Sequence, residues 1–147
     1  MKKLLLTSIV FVCSSAFALN LKEQQTLKYW KDSLAKTTTE GYAGEVVKKC
    51  GYEIPADIDE KMVTPFMAEN ASGWSYCDSV YSTLSGMCED KLAKDLIKKN
   101  IKKLSCKLGK KEEATFKLEK GTLTFTYGVG ASNLNDKVKD FLENNLK

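Results

Sequence analysis

From Leu19 onward the apolar positions of this chain of 147 residues keep helical spacing first and strand alternation later. Leu27, Trp30 and Leu34 recur at intervals of three and four, one face of a helix. Asn20 followed by Glu23 is a capping box, so a first helix is expected to about Lys36. A second helix, about Thr39 to Cys50, is expected to bury Val46 and Val47 and to stop at Gly51, where a glycine can take the left-handed cap. Gly51 to Glu60 reads as irregular, with Pro55 fixing a turn. Thr64-Pro65 looks like an N-cap followed by proline at the first helical position, which opens a short helix to about Glu69. Ser72 can cap the next one. Trp74, Cys77, Tyr81, Leu84 and Cys88 then form a regular stripe, which Leu92 and Leu96 continue to about Lys99. Gly86 can bend it, so this is one long helix or two abutting ones.

After Lys99 the period changes to two. Lys102 to Leu108, Ala114 to Glu119 and Thr122 to Val129 read as short strands, with Phe116 and Leu118, then Leu123, Phe125 and Tyr127, alternating with polar residues. Lys120-Gly121 makes a tight hairpin turn between the last two. A closing helix, about Leu134 to Asn145, carries Val138, Phe141 and Leu142 inward. The expected class is α+β: N-terminal helices, a small three-stranded antiparallel meander and a closing C-terminal helix, the helices covering one face of the sheet.

The first residues change the picture of where this domain works. Lys2 and Lys3, the apolar run Leu4 to Ser15, and Ala16-Phe17-Ala18 have the three parts of a secretory signal peptide. The expectation is a signal peptide at 1–18 and one α+β domain at 19–147, periplasmic or extracellular after cleavage. No later segment is long and apolar enough to span a bilayer. Beyond Cys13 the cysteines are Cys50, Cys77, Cys88 and Cys106. An even number in an exported chain reads as two disulfides. In a continuous helix Cys77 and Cys88 stand about 16 Å apart, too far to bridge. A helix climbing from Cys88 to Lys99 and a strand returning to Cys106 cover similar distances. The expected pairs are therefore Cys50–Cys77 and Cys88–Cys106.

The missing residues narrow the chemistry. The chain has no histidine, and all 23 of its basic residues are lysine. Histidine-based nucleophile activation, histidine metal sites and bidentate arginine clamps are therefore absent. No Cys-x-x-Cys pair supports a metal site, and no cofactor or metal is expected. The loop Gly128-Val129-Gly130-Ala131-Ser132-Asn133 follows a strand and precedes a helix, as phosphate loops do. It lacks the lysine of a P-loop and the later acidic residue of a dinucleotide fold, so it reads as a turn, with Asn133 capping the last helix. Ser33 and Lys36 match the spacing of serine–lysine hydrolases, without the other elements of that motif set. Glu53, Asp57, Asp59 and Glu60 supply carboxylates of the kind glycosidases use in pairs.

Charge is uneven along the chain: seven lysines and twelve acids lie in Leu19 to Asp90, fourteen lysines and seven acids in Lys91 to Lys147. Lys98, Lys99, Lys102 and Lys103 are the candidate residues for binding an anion or a partner. The small, exported, disulfide-bonded α+β format resembles that of some periplasmic inhibitor and immunity proteins of bacteria, a resemblance of format that carries no residue roles. The expected function is a non-enzymatic exported binding module that engages another protein in the envelope or outside the cell. The alternatives are a small carboxylate-dependent hydrolase acting on an envelope substrate and a binder of an anionic ligand or envelope polymer through the lysine patch. Nucleic acid is not an expected partner.

Overall fold

A computed structural model describes residues 18–147. The expected signal peptide lies, but for Ala18, outside the described residues. Six helices and a four-stranded sheet follow one another as α1 (Leu21–Glu40), α2 (Tyr42–Cys50), β1 (Ala56–Ile58), α3 (Val63–Ala68), α4 (Gly73–Met87), α5 (Lys91–Asn100), β2 (Lys103–Leu108), β3 (Ala114–Glu119), β4 (Thr122–Tyr127) and α6 (Leu134–Asn145). Among the described residues no helix is long and apolar enough to cross a membrane.

Local chemistry sets most of the boundaries. The capping box forms as expected: the Asn20 backbone N–H donates to Glu23 Oε2 at 2.8 Å, and the Glu23 N–H donates to Asn20 Oδ1 at 3.0 Å. Gly51 ends α2 in the left-handed conformation at φ 80°. Val46 is fully buried on that helix, whereas Val47 lies exposed on its other side, against expectation. The Thr64-Pro65 start is one turn late. Asp59, accepting from the Lys61 N–H at 3.0 Å, caps a single 3-10 turn that runs into α3, and the Thr64 hydroxyl donates instead to Glu23 Oε1 at 2.7 Å. Ser72 occupies the N-cap of α4 without a side-chain cap bond. The long stripe is two helices. Asp90 accepts from the Ala93 N–H at 2.8 Å and starts α5 afresh, so Ile97 turns inward and Leu92 is left exposed.

The sheet corrects the meander. Its order is β1-β2-β4-β3: β1 pairs parallel with β2, β2 parallel with β4, and only β3 with β4 is antiparallel. The hairpin at Lys120-Gly121 is present, both residues having positive φ. The loop before it, from Gly109 to Glu113, steps over the end of β4 instead of turning tightly. It is held there by the Gly109 N–H on the Tyr127 carbonyl at 2.8 Å and the Gly128 N–H on the Glu113 carbonyl at 3.0 Å. The physical reason is burial. Leu123, Phe125 and Tyr127 are all fully buried, so β4 takes the centre. Ala114, Phe116 and Leu118 of β3 are only half-buried and go to an edge, where Lys117 and Glu119 face water. The segment expected to be irregular supplies β1, whose register with β2 begins at Ala56↔Leu104.

The helices pack on one face of this sheet. Aromatic rings join the layers: Phe125 stacks on Tyr127 at 4.2 Å and on Phe116 at 4.8 Å, and Phe116 meets Phe141 of α6 at 5.6 Å. Phe66 lies edge-on to Tyr127 at 5.8 Å and to Trp30 at 6.2 Å. The two buried tyrosine hydroxyls are satisfied, Tyr127 donating to the Gly73 carbonyl at 2.6 Å and Tyr81 to the Ile54 carbonyl at 2.5 Å. The other face of the sheet is polar, with Thr122, Thr124 and Thr126 of β4 between Ser105 and Lys107 of β2 and Thr115 and Lys117 of β3.

Both disulfides form, but the partners are exchanged relative to expectation. Cys50 joins Cys88 with Cα atoms 5.2 Å apart, and Cys77 joins Cys106 at 6.0 Å. The expected pairs Cys50–Cys77 and Cys88–Cys106 assumed that β2 retraces a continuous helix. The chain turns at Asp90 instead, and β2 reaches the first half of α4, where Cys106 meets Cys77. Meanwhile α2 runs alongside α4 in the same direction. Glu45 faces Ser85, Lys49 faces Glu89 and Cys50 faces Cys88, so the contacts advance together toward the ends of both helices.

Candidate functional site

The lysines singled out from the sequence are spread over different tasks. Lys98 is exposed near the end of α5, and its carbonyl accepts a bond from Lys102 Nζ, which closes the helix end as basic side chains do. Lys102 also lies 5.9 Å from the centre of the Tyr52 ring. Lys99 Nζ reaches the carbonyl oxygen of Lys147 at 3.5 Å. Lys103 leaves the group altogether: it stands on the polar sheet face, paired with Asp57 at 2.9 Å. The structure thus brings Lys98 and Lys102 together and sends Lys103 elsewhere.

The acidic cluster is also divided. Glu53 and Asp57 share a cleft of about 400 Å³ with Lys31, between α1 and β1. Asp57 is held by Lys103, and Asp59 is the cap described above. Glu60 lines a different cleft, of about 440 Å³, with Lys28 and Asp32. Ser33 is partly buried on α1, and the Lys36 side chain lies outside the described residues.

The glycine loop is structural. A Cβ on Gly128 would collide with the Lys110 carbonyl oxygen, so only glycine lets the β2–β3 loop cross so closely. Asn133 makes no side-chain cap and takes the left-handed conformation at φ 54°, with its carbonyl accepting from the Lys137 N–H at 3.1 Å. It turns the chain into α6 by its backbone.

A further concavity lies where the sequence carries no motif. α6 packs on α4 and β3, and α5 packs on α2 and α4, but α5 and α6 scarcely touch each other. At their far ends Lys99 and the Asn100 side-chain amide approach the Lys147 carbonyl at 3.5 and 3.4 Å. Near the start of α6 the Thr83 hydroxyl reaches the Asn135 carbonyl at 3.5 Å. Between these limits runs a groove, formed by a cleft of about 530 Å³ and a second of about 200 Å³ that share Met87, Asp90, Ala93 and Glu143 as walls. The narrower cleft is apolar, with Met87 from α4 and Leu92, Ala93 and Leu96 from α5 above the buried Leu142 and Leu146 at the α6 end, whereas the wider one is lined mostly by polar residues, Ser82, Thr83, Asn135 and Asp136 among them. Leu92 stands 69% exposed at the rim, one of the most exposed large apolar residues of the described chain.

Charge at this groove opposes that of the whole protein. Asp90 stands on one side and Asp136 and Glu143 on the other, against Lys139, which lies 3.8 Å from Glu143. The chain as a whole carries a formal net charge of +4. Leu92 and Leu96 read from sequence as a continuation of the core stripe. The available signal was Asp90: an acid just before Lys91 is a helix N-cap, and a new helix there resets which face is buried.

Comparison with protein-family models, with curated proteins and with solved structures finds no match.

Proposed function

We propose that this protein is an exported, non-enzymatic binding module that holds a segment of another protein in the groove between α5 and α6. The observation that carries the reading is the groove itself: an apolar strip on its α5 side with an exposed leucine, and a rim whose charge is opposite to the protein's net charge. An apolar strip bordered by polar residues is what a docking surface presents, and a lone exposed leucine would need no such setting. Export is supported by the signal-like N-terminus and by two disulfides, which belong to oxidising compartments. The non-enzymatic part is supported by the absence of histidine from the sequence and by the local ties of Asp57 and Asp59.

A photo-crosslinking amino acid placed at Leu92 in the producing cell should give one discrete protein adduct. The same group at Thr115, on the polar sheet face, should give none. No adduct from position 92, or the same adducts from both positions, would overturn the docking reading.

A further inference from the structure

We infer that the segment seated in this groove is a basic amphipathic helix of about three turns, which rests on the docking reading above. Three properties of the groove select it. The first is backbone chemistry. Along the apolar strip of Met87, Leu92 and Leu96 the walls are helices, which present no strand edge for an extended chain to pair with. An extended segment laid on the apolar strip would bury its own backbone groups without partners. A helix brings its hydrogen bonds with it, and two helices that diverge over a third leave a slot of the kind helices fill.

The second property is length. The groove follows α6, whose 12 residues extend about 18 Å at 1.5 Å per residue. The Lys147 end closes it, because the Lys147 carbonyl there accepts from Lys99 and Asn100. A partner helix of about 11 or 12 residues covers this span, with an apolar stripe at intervals of three and four facing Met87, Leu92 and Leu96.

The third property is charge. Asp90 lies on the α5 side, and Asp136 and Glu143 lie on the α6 side. Lys139 offsets one of them. Acids on both rims call for lysine or arginine on both flanks of the apolar stripe, which fixes the partner's rotation and disfavours an acidic helix.

The test uses the protein with both disulfides formed and three fluorescent peptides of about 14 residues. One is built of leucine and lysine in a helical period. The second has the same composition in strict alternation, and the third is helical with glutamate in place of lysine. At about 0.15 M salt the helical leucine–lysine peptide should bind roughly tenfold more tightly than either of the others. Leu92→Ser, at an exposed position that cannot disturb the core, should weaken it about threefold, and Asp136→Asn with Glu143→Gln about fivefold with a shallower salt dependence. Equal binding of the alternating or glutamate peptide, or binding untouched by these substitutions, would overturn the inference. A discrete adduct from position 92 without binding of the helical leucine–lysine peptide would leave docking standing and remove the basic helix. Absence of both would remove the two together.

Discussion

Asp78 shows how one side chain can work against the fold that holds it. It sits on α4 with Oδ1 buried and, among the described residues, without a hydrogen-bond partner. Burial raises its carboxyl above the usual carboxylate range. Its charge in turn adds to the burial that pushes the Tyr81 hydroxyl upward, with a further contribution from Glu53. A carboxyl whose folded pKa is raised favours the protonated form in the fold. Its contribution to stability is therefore best in acid and is lost as pH rises through the folded value. Asp78→Asn should raise stability at neutral pH, by less than about 1 kcal/mol because the group is partly exposed and solvent screens it. The gain should vanish at about pH 3, where the parent carboxyl is protonated as well. Urea titrations of both proteins at the two pH values measure this directly. A variant less stable than the parent at neutral pH would show that Asp78 is paired in solution.

At the scale of elements, the step of the Gly109–Glu113 loop over β4 decides the sheet. That crossing depends on Gly128, beside the Lys110 carbonyl. Gly128→Ala should therefore cost about 2 to 4 kcal/mol by forcing the loop off the strand end. Gly86 is the matched control. It lies in α4 with nothing within 4 Å of the place a Cβ would take, and Gly86→Ala should stabilise the helix by up to about 1 kcal/mol. Chemical denaturation of both variants tests the pair. Equal effects would mean that the loop crossing is loose. The capping box of α1, the left-handed Gly51 and the hairpin at Lys120-Gly121 were legible from sequence because each is settled by residues within a few positions of one another. The parallel pairing of β2 with β4 was not, because a loop of that length can serve a hairpin or a crossing equally well.

The two disulfides act on the molecule as a whole. Cys50–Cys88 spans 38 residues and locks α2 to the end of α4, and Cys77–Cys106 spans 29 and fastens α4 to the sheet. On the chain-entropy account each contributes about 4 kcal/mol by constraining the unfolded chain. Replacing Cys50 and Cys88 together by alanine should lower stability by about that amount and loosen the α4–α5 corner at which the groove begins. Peptide mapping without reduction should recover Cys50 linked to Cys88 and Cys77 linked to Cys106. A peptide linking Cys50 to Cys77 would restore the pairing expected from the sequence and refute this packing.

The order of residues alone settles the class of the protein and its local features. Hydrophobic period distinguishes helix from strand, glycine and acid positions mark most ends, and four cysteines in a chain with a signal-like start call for two bridges. It also narrows the chemistry, since a chain without histidine or arginine cannot build sites that need them. Packing in three dimensions settles the rest: which cysteines meet, which strand takes the centre of the sheet and where a groove opens. Those outcomes depend on the direction each element takes after a turn. One N-cap at Asp90 redirects α5, exposes Leu92 and opens the groove, while β4 displaces β3 from the centre because its three apolar side chains gain full burial there. Spacing along the chain fixes what an element is, and the competition for buried surface among all the elements fixes where it goes.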